Sequence, residues 1–200
     1  MPKENINTCN GAEAHPLPNE LRLARWGKIQ VYTGKGKGKT TAALGTALRA
    51  HAQEKKVAFV YFDKGGSHYS EAAILDKLGI PYFRTGLDRI DPESGKFRFG
   101  VKPEDKAEGR RGLDTANELM ETGDLDLLVL DEVCISAALG IFTTQEVLDL
   151  VACKPQKLEL ILTGRDAPKE VTDVADLVTE MNLVKHYFYE GAPAREGLDY

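Results

Sequence analysis

Between a short β-rich run and a helical one lie nine residues, Thr33-Gly34-Lys35-Gly36-Lys37-Gly38-Lys39-Thr40-Thr41, that leave the chain few ways to fold. Glycines let successive amide N–H groups turn inward as a nest, and a helix opening at Thr40 adds the positive end of its dipole. Lys39 supplies a mobile charge, and the Thr40 hydroxyl can hold Mg²⁺. The context makes this a phosphate loop. Ile29, Val31 and Tyr32 precede it as a strand, while Ala42, Ala43, Leu44, Ala47 and Leu48 follow at helical spacing. The standard pattern is G-x-x-x-x-G-K-[ST]. Here only three residues lie between Gly34 and Gly38, so the first glycine's place falls on Thr33 and the loop is one residue tight.

A second feature is Leu127-Leu128-Val129-Leu130-Asp131-Glu132, an apolar strand closing on two carboxylates. In an open parallel sheet the strand C-termini converge on one crevice, so loop and carboxylates are expected to meet there. Thr40 and Glu132, with Asp131 in support, are the candidate Mg²⁺ ligands. Further strand-like runs at 57–62, 80–83, 158–162 and 177–184 alternate with helical ones at 70–78, 103–120, 143–151 and 168–175. That alternation predicts an α/β fold of the P-loop NTPase type (RecA-like), a mainly parallel sheet of five to six strands with helices on both faces. Residues 1–26 show no sustained period and are expected to form a flexible N-terminal arm or lid, leaving 27–200 as a single P-loop domain. The stretch from Arg84 to Pro103, broken by Gly86, Pro92, Gly95 and Gly100, denies both periods and reads as a binding loop.

Composition narrows the function. With 26 Lys+Arg against 31 Asp+Glu the net charge is −5, which argues against general nucleic-acid binding. No apolar run approaches the length needed to cross a membrane, and the N-terminus lacks a signal peptide's apolar stretch. Cys9, Cys134 and Cys153 form no C-x-x-C pair and are expected to be unreactive thiols without a zinc site. Together these predict a cytoplasmic protein. A phosphate loop by itself specifies only a nucleoside triphosphate with Mg²⁺. Glu132 suits either the polarised water of a hydrolase or the base of a kinase.

The run from Thr33 to Ala50 resembles the signature of the ATP:corrinoid adenosyltransferases, the cob(I)yrinic acid a,c-diamide adenosyltransferase family. Val129-Leu130-Asp131-Glu132, Ile161-Leu162-Thr163-Gly164-Arg165-Asp166, Ala175 to Met181, Val184-Lys185-His186 and Gly197-Leu198-Asp199-Tyr200 agree with it in the same order. The resemblance covers roughly residues 26–200. It implies that a Co(I) corrinoid attacks C5′ of ATP, with triphosphate as leaving group, in adenosylcobalamin biosynthesis or salvage. Reduced cobalt is already a strong nucleophile, so the protein's task becomes positioning and stabilising charge on the departing triphosphate. In the family the nucleotide lies reversed on the loop. The implied phosphate ligands are the amides of Gly34, Lys35, Gly36, Lys37, Gly38, Lys39, Thr40 and Thr41, with Lys37 and Lys39 as the catalytic charges. Arg49 is expected near the adenosine end, and Arg165 follows a strand at the same sheet edge as Asp131, within reach of the triphosphate.

The family's Phe-Thr-Trp, whose aromatics face the corrinoid, has no counterpart here. Without gaps its tryptophan falls on Phe97, so Phe97 and Phe99 are expected to replace that wall. His186 reads as a half-buried histidine. The implied partners are ATP, Mg²⁺ and a reduced corrinoid, with an electron-donor protein as reductant and a homodimer as the assembly, and with no membrane or nucleic acid. The alternatives are a P-loop ATPase or small-molecule kinase, and a nucleotide-gated module that delivers a corrinoid without forming the Co–C bond.

Overall fold

The computed structural model describes residues 27–66, 69–89 and 98–199. The expected arm at 1–26 and Phe97 lie outside the described residues. Six strands, β1 (Ile29–Thr33), β2 (Val57–Tyr61), β3 (Tyr82–Arg84), β4 (Leu127–Asp131), β5 (Glu159–Thr163) and β6 (Leu177–Glu180), form one sheet in the order β3-β2-β4-β5-β1-β6. Every pairing is parallel, so the expected sheet is present at the upper end of its strand number.

Parallel neighbours require crossovers. These contain α1 (Lys39–His51), α2 (Glu71–Leu78), α3 (Pro103–Glu121), α4 (Val133–Ala138), α5 (Thr144–Ala152) and α6 (Lys169–Val174). A capping box opens α5, where Thr143 Oγ1 accepts from the Glu146 amide at 3.2 Å and the Thr143 amide donates to Glu146 Oε2 at 2.7 Å. The short α4, Val-Cys-Ile-Ser-Ala-Ala, was not anticipated, because its residues are mostly buried and show no polar face to betray a helical period.

The continuous apolar runs have a simple cause: both faces of the sheet are covered. Ala58, Val60, Leu128, Leu130, Leu160 and Leu162 pack on one face with Leu113, Val133, Val147 and Val171 from α3 to α6. The alternating residues Phe59, Tyr61, Leu127, Val129 and Ile161 pack on the other with Ala43, Ala47 and Leu75 from α1 and α2. Among the described residues no helix is long and apolar enough to cross a membrane. Cys134 is a buried free thiol, pushed up to about 12 chiefly by burial, whereas Cys153 is disulfide-bonded, contrary to the expectation of three unpaired thiols.

Register places the site. Tyr61 pairs with Asp131, Leu130 with Leu162 and Tyr32 with Thr163, so β1, β2, β4 and β5 end at one edge of the sheet. The chain leaving β1 crosses to β2 on one side, while that leaving β5 crosses to β6 on the other. Such a switch in direction opens a crevice at the strand C-termini. Because β5 lies between β1 and β4, Thr163 stands between the phosphate loop and Asp131.

Candidate functional site

The phosphate loop joins β1 to α1, and its tightness has a visible clamp. The Gly36 amide donates to the Met181 carbonyl at 2.6 Å, and the Met181 amide donates to the Thr33 carbonyl at 2.8 Å. A Cβ on Gly36 would lie 2.7 Å from that carbonyl oxygen, so only glycine fits without moving backbone. Gly38 turns the chain into α1 at φ 115°, the left-handed region. The buried Lys39 ammonium donates to the carbonyls of Gly34 and Gly36, both at 2.8 Å, bracing the loop from within. Burial pushes the Lys39 pKa down, and the nearby Glu132 carboxylate opposes that shift.

The carboxylates hold distinct positions. Asp131 is fully buried and accepts from Thr163 Oγ1 at 2.6 Å, from Thr40 Oγ1 at 3.2 Å and from Lys64 Nζ at 2.6 Å. Glu132 follows at φ 61°, in the left-handed region, and lines the open space before the loop, while its amide donates to Thr163 Oγ1 at 3.0 Å. Burial, then the adjacent Asp131 charge, raise the Glu132 pKa, against the pull of Lys64, Lys39 and Arg165. Lys64 is also largely buried. Burial alone would lower its pKa, but Asp131, Glu132 and Glu71 together overcome that and raise it.

The loop opens onto a cavity of about 820 Å³. Lys35, Lys37, Lys39, Thr40, Thr41, Glu132, Lys64 and Arg165 line its polar floor and flank. Its other wall is the C-terminal segment, where a 3₁₀ turn (Tyr187–Glu190) carries Tyr187 and Phe188 beside His186. Lys37 ties this wall to the loop by donating to Tyr187 Oη, the Leu198 carbonyl and Asp199. Arg195 pairs with Asp199 at 3.0 Å and stacks over Tyr187, and the Gly197 amide donates to Ser70 Oγ at 3.2 Å.

Most residues singled out from the sequence therefore share one space. Asp131 lies beneath the cavity, bonded to the Thr40 hydroxyl, and Gly34 lies behind it in contact range of Met181. Gly36 turns its amide toward Met181, so that donor is withdrawn from the expected cradle. Arg49 points elsewhere: it lines a separate open cleft with Thr46, Thr179 and Met181 and donates to Thr46 Oγ1 at 3.4 Å. The cause is helical geometry, since Arg49 lies on an exposed face of α1. Phe99 is 84% exposed and is not among the residues lining the main cavity. Lys64, Glu71, Tyr187 and Asp199 were missed as site residues. Lys64 could have been found by the logic applied to Asp131, because it too follows an apolar strand at the same sheet edge.

The donor set suits Mg²⁺. Thr40 Oγ1 and Asp131 Oδ2 are oxygen donors 3.2 Å apart with Glu132 on the cavity side, a sparse array of the kind that fits an ion keeping waters and phosphate oxygens. Among the described residues no group of three or more His, Cys, Asp or Glu side chains is gathered to enclose a metal by itself.

Comparison with known proteins agrees with this geometry. Residues 25–200 match the family model described as ATP:corrinoid adenosyltransferase BtuR/CobO/CobP. A corrinoid adenosyltransferase of Escherichia coli K12 is 35% identical over 178 residues, covering 87% of this chain and 86% of the relative. The Salmonella typhimurium corrinoid adenosyltransferase CobA is 33% identical over 174 residues, with the same coverage, and a Pseudomonas aeruginosa corrinoid adenosyltransferase is 31% identical over 176 residues, covering 87% and 84%. A shortened phosphate loop, a buried carboxylate bonded to its threonine and a match across nearly the whole described chain lead to one conclusion: this chain belongs to the ATP:corrinoid adenosyltransferase family.

Proposed function

We propose that this protein transfers the 5′-deoxyadenosyl group of MgATP to the cobalt of a reduced corrinoid, releasing triphosphate. The observation that supports it best is the single cavity of about 820 Å³ shared by the tight lysine-bearing loop, the Asp131–Glu132 strand end and an aromatic wall, in a chain of this family. Cavities of a few hundred to about a thousand Å³ are the usual size of small-molecule sites.

In this reading the triphosphate lies on the loop and C5′ points into the cavity. The Co(I) electron pair forms the Co–C bond while the C5′–O bond breaks, and that bond's electron pair departs on the triphosphate. No proton moves, so no general base is required. Lys39, Lys37 and the remaining loop amides act where negative charge grows, which is where preorganised donors lower a barrier most. Lys35, Thr41 and Arg165 line the same space and steady the polyphosphate. Thr40, Asp131 and Glu132 would hold Mg²⁺, which when bound neutralises charge on the polyphosphate. Phe99, with Phe97, is assigned to the corrinoid side. A homodimer, an electron-donor protein and a cytoplasmic setting complete the proposal by analogy with the family.

The test is to incubate the protein with ATP, Mg²⁺ and chemically reduced cobalamin and identify the phosphate product. Triphosphate with adenosylcobalamin supports the reading. ADP with orthophosphate points to an ATPase, ADP with a phosphorylated acceptor to a small-molecule kinase, and binding without any of these products to a delivery module.

A further inference from the structure

Lys64 is a buried cation that the reaction described above leaves without a task. It lies three positions beyond β2, and its side chain is 11% exposed. Its ammonium donates to Asp131 Oδ2 at 2.6 Å and reaches Thr40 Oγ1 and Glu71 Oε1 only at 3.4 Å each. The Tyr61 and Tyr69 rings flank it, with centroids at 5.4 and 5.1 Å. It also lines the main cavity, on the Asp131 side of Thr40 and away from the Gly34 and Gly36 carbonyls that hold Lys39.

An ammonium has three donors. One is well used on Asp131, whereas the two at 3.4 Å sit near the outer limit of hydrogen bonding and are readily exchanged for a stronger acceptor. A phosphate oxygen entering beside Thr40 offers such an acceptor, and its charge makes the new bond a strong one. Charge balance points the same way. With Lys37 paired to Asp199, the cations Lys35, Lys39, Lys64 and Arg165 face Asp131, Glu132 and Glu71, so deleting Lys64 would remove the net positive charge from the space where a polyphosphate must bind.

We propose that Lys64, anchored by Asp131 and held between Tyr61 and Tyr69, is a further polyphosphate-binding residue that grips the leaving triphosphate from the side opposite Lys39. This deepens the proposed function and rests on its placing of the triphosphate on the loop.

The probe is inorganic tripolyphosphate, titrated calorimetrically into the full chain with Mg²⁺ present. Wild type should bind it, Lys64→Met should bind at least about tenfold more weakly, and Lys64→Arg, which keeps the charge, should recover most of that loss. Thermal melts of the variants, together with the nitrogen NMR resonance of the Lys64 ammonium in wild type, separate this role from a structural one. The resonance should move on adding tripolyphosphate. A resonance that stays still, or Lys64→Met binding within about twofold of wild type, overturns the assignment even if the melting temperature falls. Failure of wild type to bind tripolyphosphate overturns the broader placement of triphosphate on this loop, a result distinct from failure of Lys64 alone.

Discussion

Lys37 Nζ lies 2.5 Å from Asp199 Oδ1 across 162 residues of sequence, joining the phosphate loop to the last described residue of the chain. Asp199 also accepts from Tyr187 and Arg195, which together with Lys37 hold its pKa far below the usual carboxylate range. One carboxylate thus gathers the loop and the C-terminal wall of the cavity. Asp199→Ala should loosen that wall, and tryptic cleavage after Lys185 or Arg195 should accelerate roughly fivefold, since cleavage follows the population of the open form. Mass-spectrometric timing of the digest measures this, and unchanged cleavage would refute the tie.

Lys39→Ala removes a buried charge from the proposed leaving-group site and the brace across Gly34 and Gly36. The adenosylation rate should fall more than about tenfold, over roughly 1.4 kcal/mol of barrier. A variant retaining more than a tenth of the wild-type rate would exclude Lys39 from stabilising the triphosphate.

Gly36→Ala places a methyl 2.7 Å from the Met181 carbonyl oxygen, so the loop or the residues after β6 must move. We expect a loss of about 1–3 kcal/mol in thermal or denaturant unfolding and weaker ATP binding. Gly45→Ala is the control, because its Cβ would meet nothing within 4 Å. Its effect on ATP binding should be small, and equal losses in both variants would show that the Met181 clamp is not the cause.

Asp105 reports on acid stability away from the site. It caps α3 by accepting from the Lys102 amide at 2.7 Å and pairs bidentately with Arg98 at 2.6 and 2.9 Å. The Arg98 hydrogen bonds lead the causes that hold its pKa at about 2, below the ordinary 3.8. A depressed acid stabilises the fold above its unfolded pKa, and that contribution disappears as pH falls from about 4 through about 2. Asp105→Asn should therefore cost about 2 kcal/mol at pH 7, and the gap from wild type should narrow across that window. A gap constant from pH 7 to pH 2 would show that the ion pair contributes nothing.

Phe99→Ala tests the corrinoid wall. Phe99 is 84% exposed, so its removal should leave the melting temperature nearly unchanged while raising KM for the corrinoid and not for ATP. Unchanged corrinoid KM would remove Phe99 from the substrate surface.

Much of this molecule was legible in the amino-acid order because the relevant signals are local. The glycine–lysine loop between a strand and a helix, the apolar runs covered on both faces and the carboxylates closing β4 each declare themselves within a few residues, since backbone conformation and hydrophobic period are short-range properties. They sufficed for the parallel α/β sheet and for the meeting of Thr40 with Asp131. Tertiary structure alone decided the rest, because packing joins residues that no spacing rule connects. It turned the Gly36 amide onto Met181, placed Lys64 against Asp131, sent Arg49 to a different cleft and folded Asp199 onto Lys37. Each of these contacts depends on which strand lies beside which and on where a crossover returns, and those relations exist only once the sheet has formed.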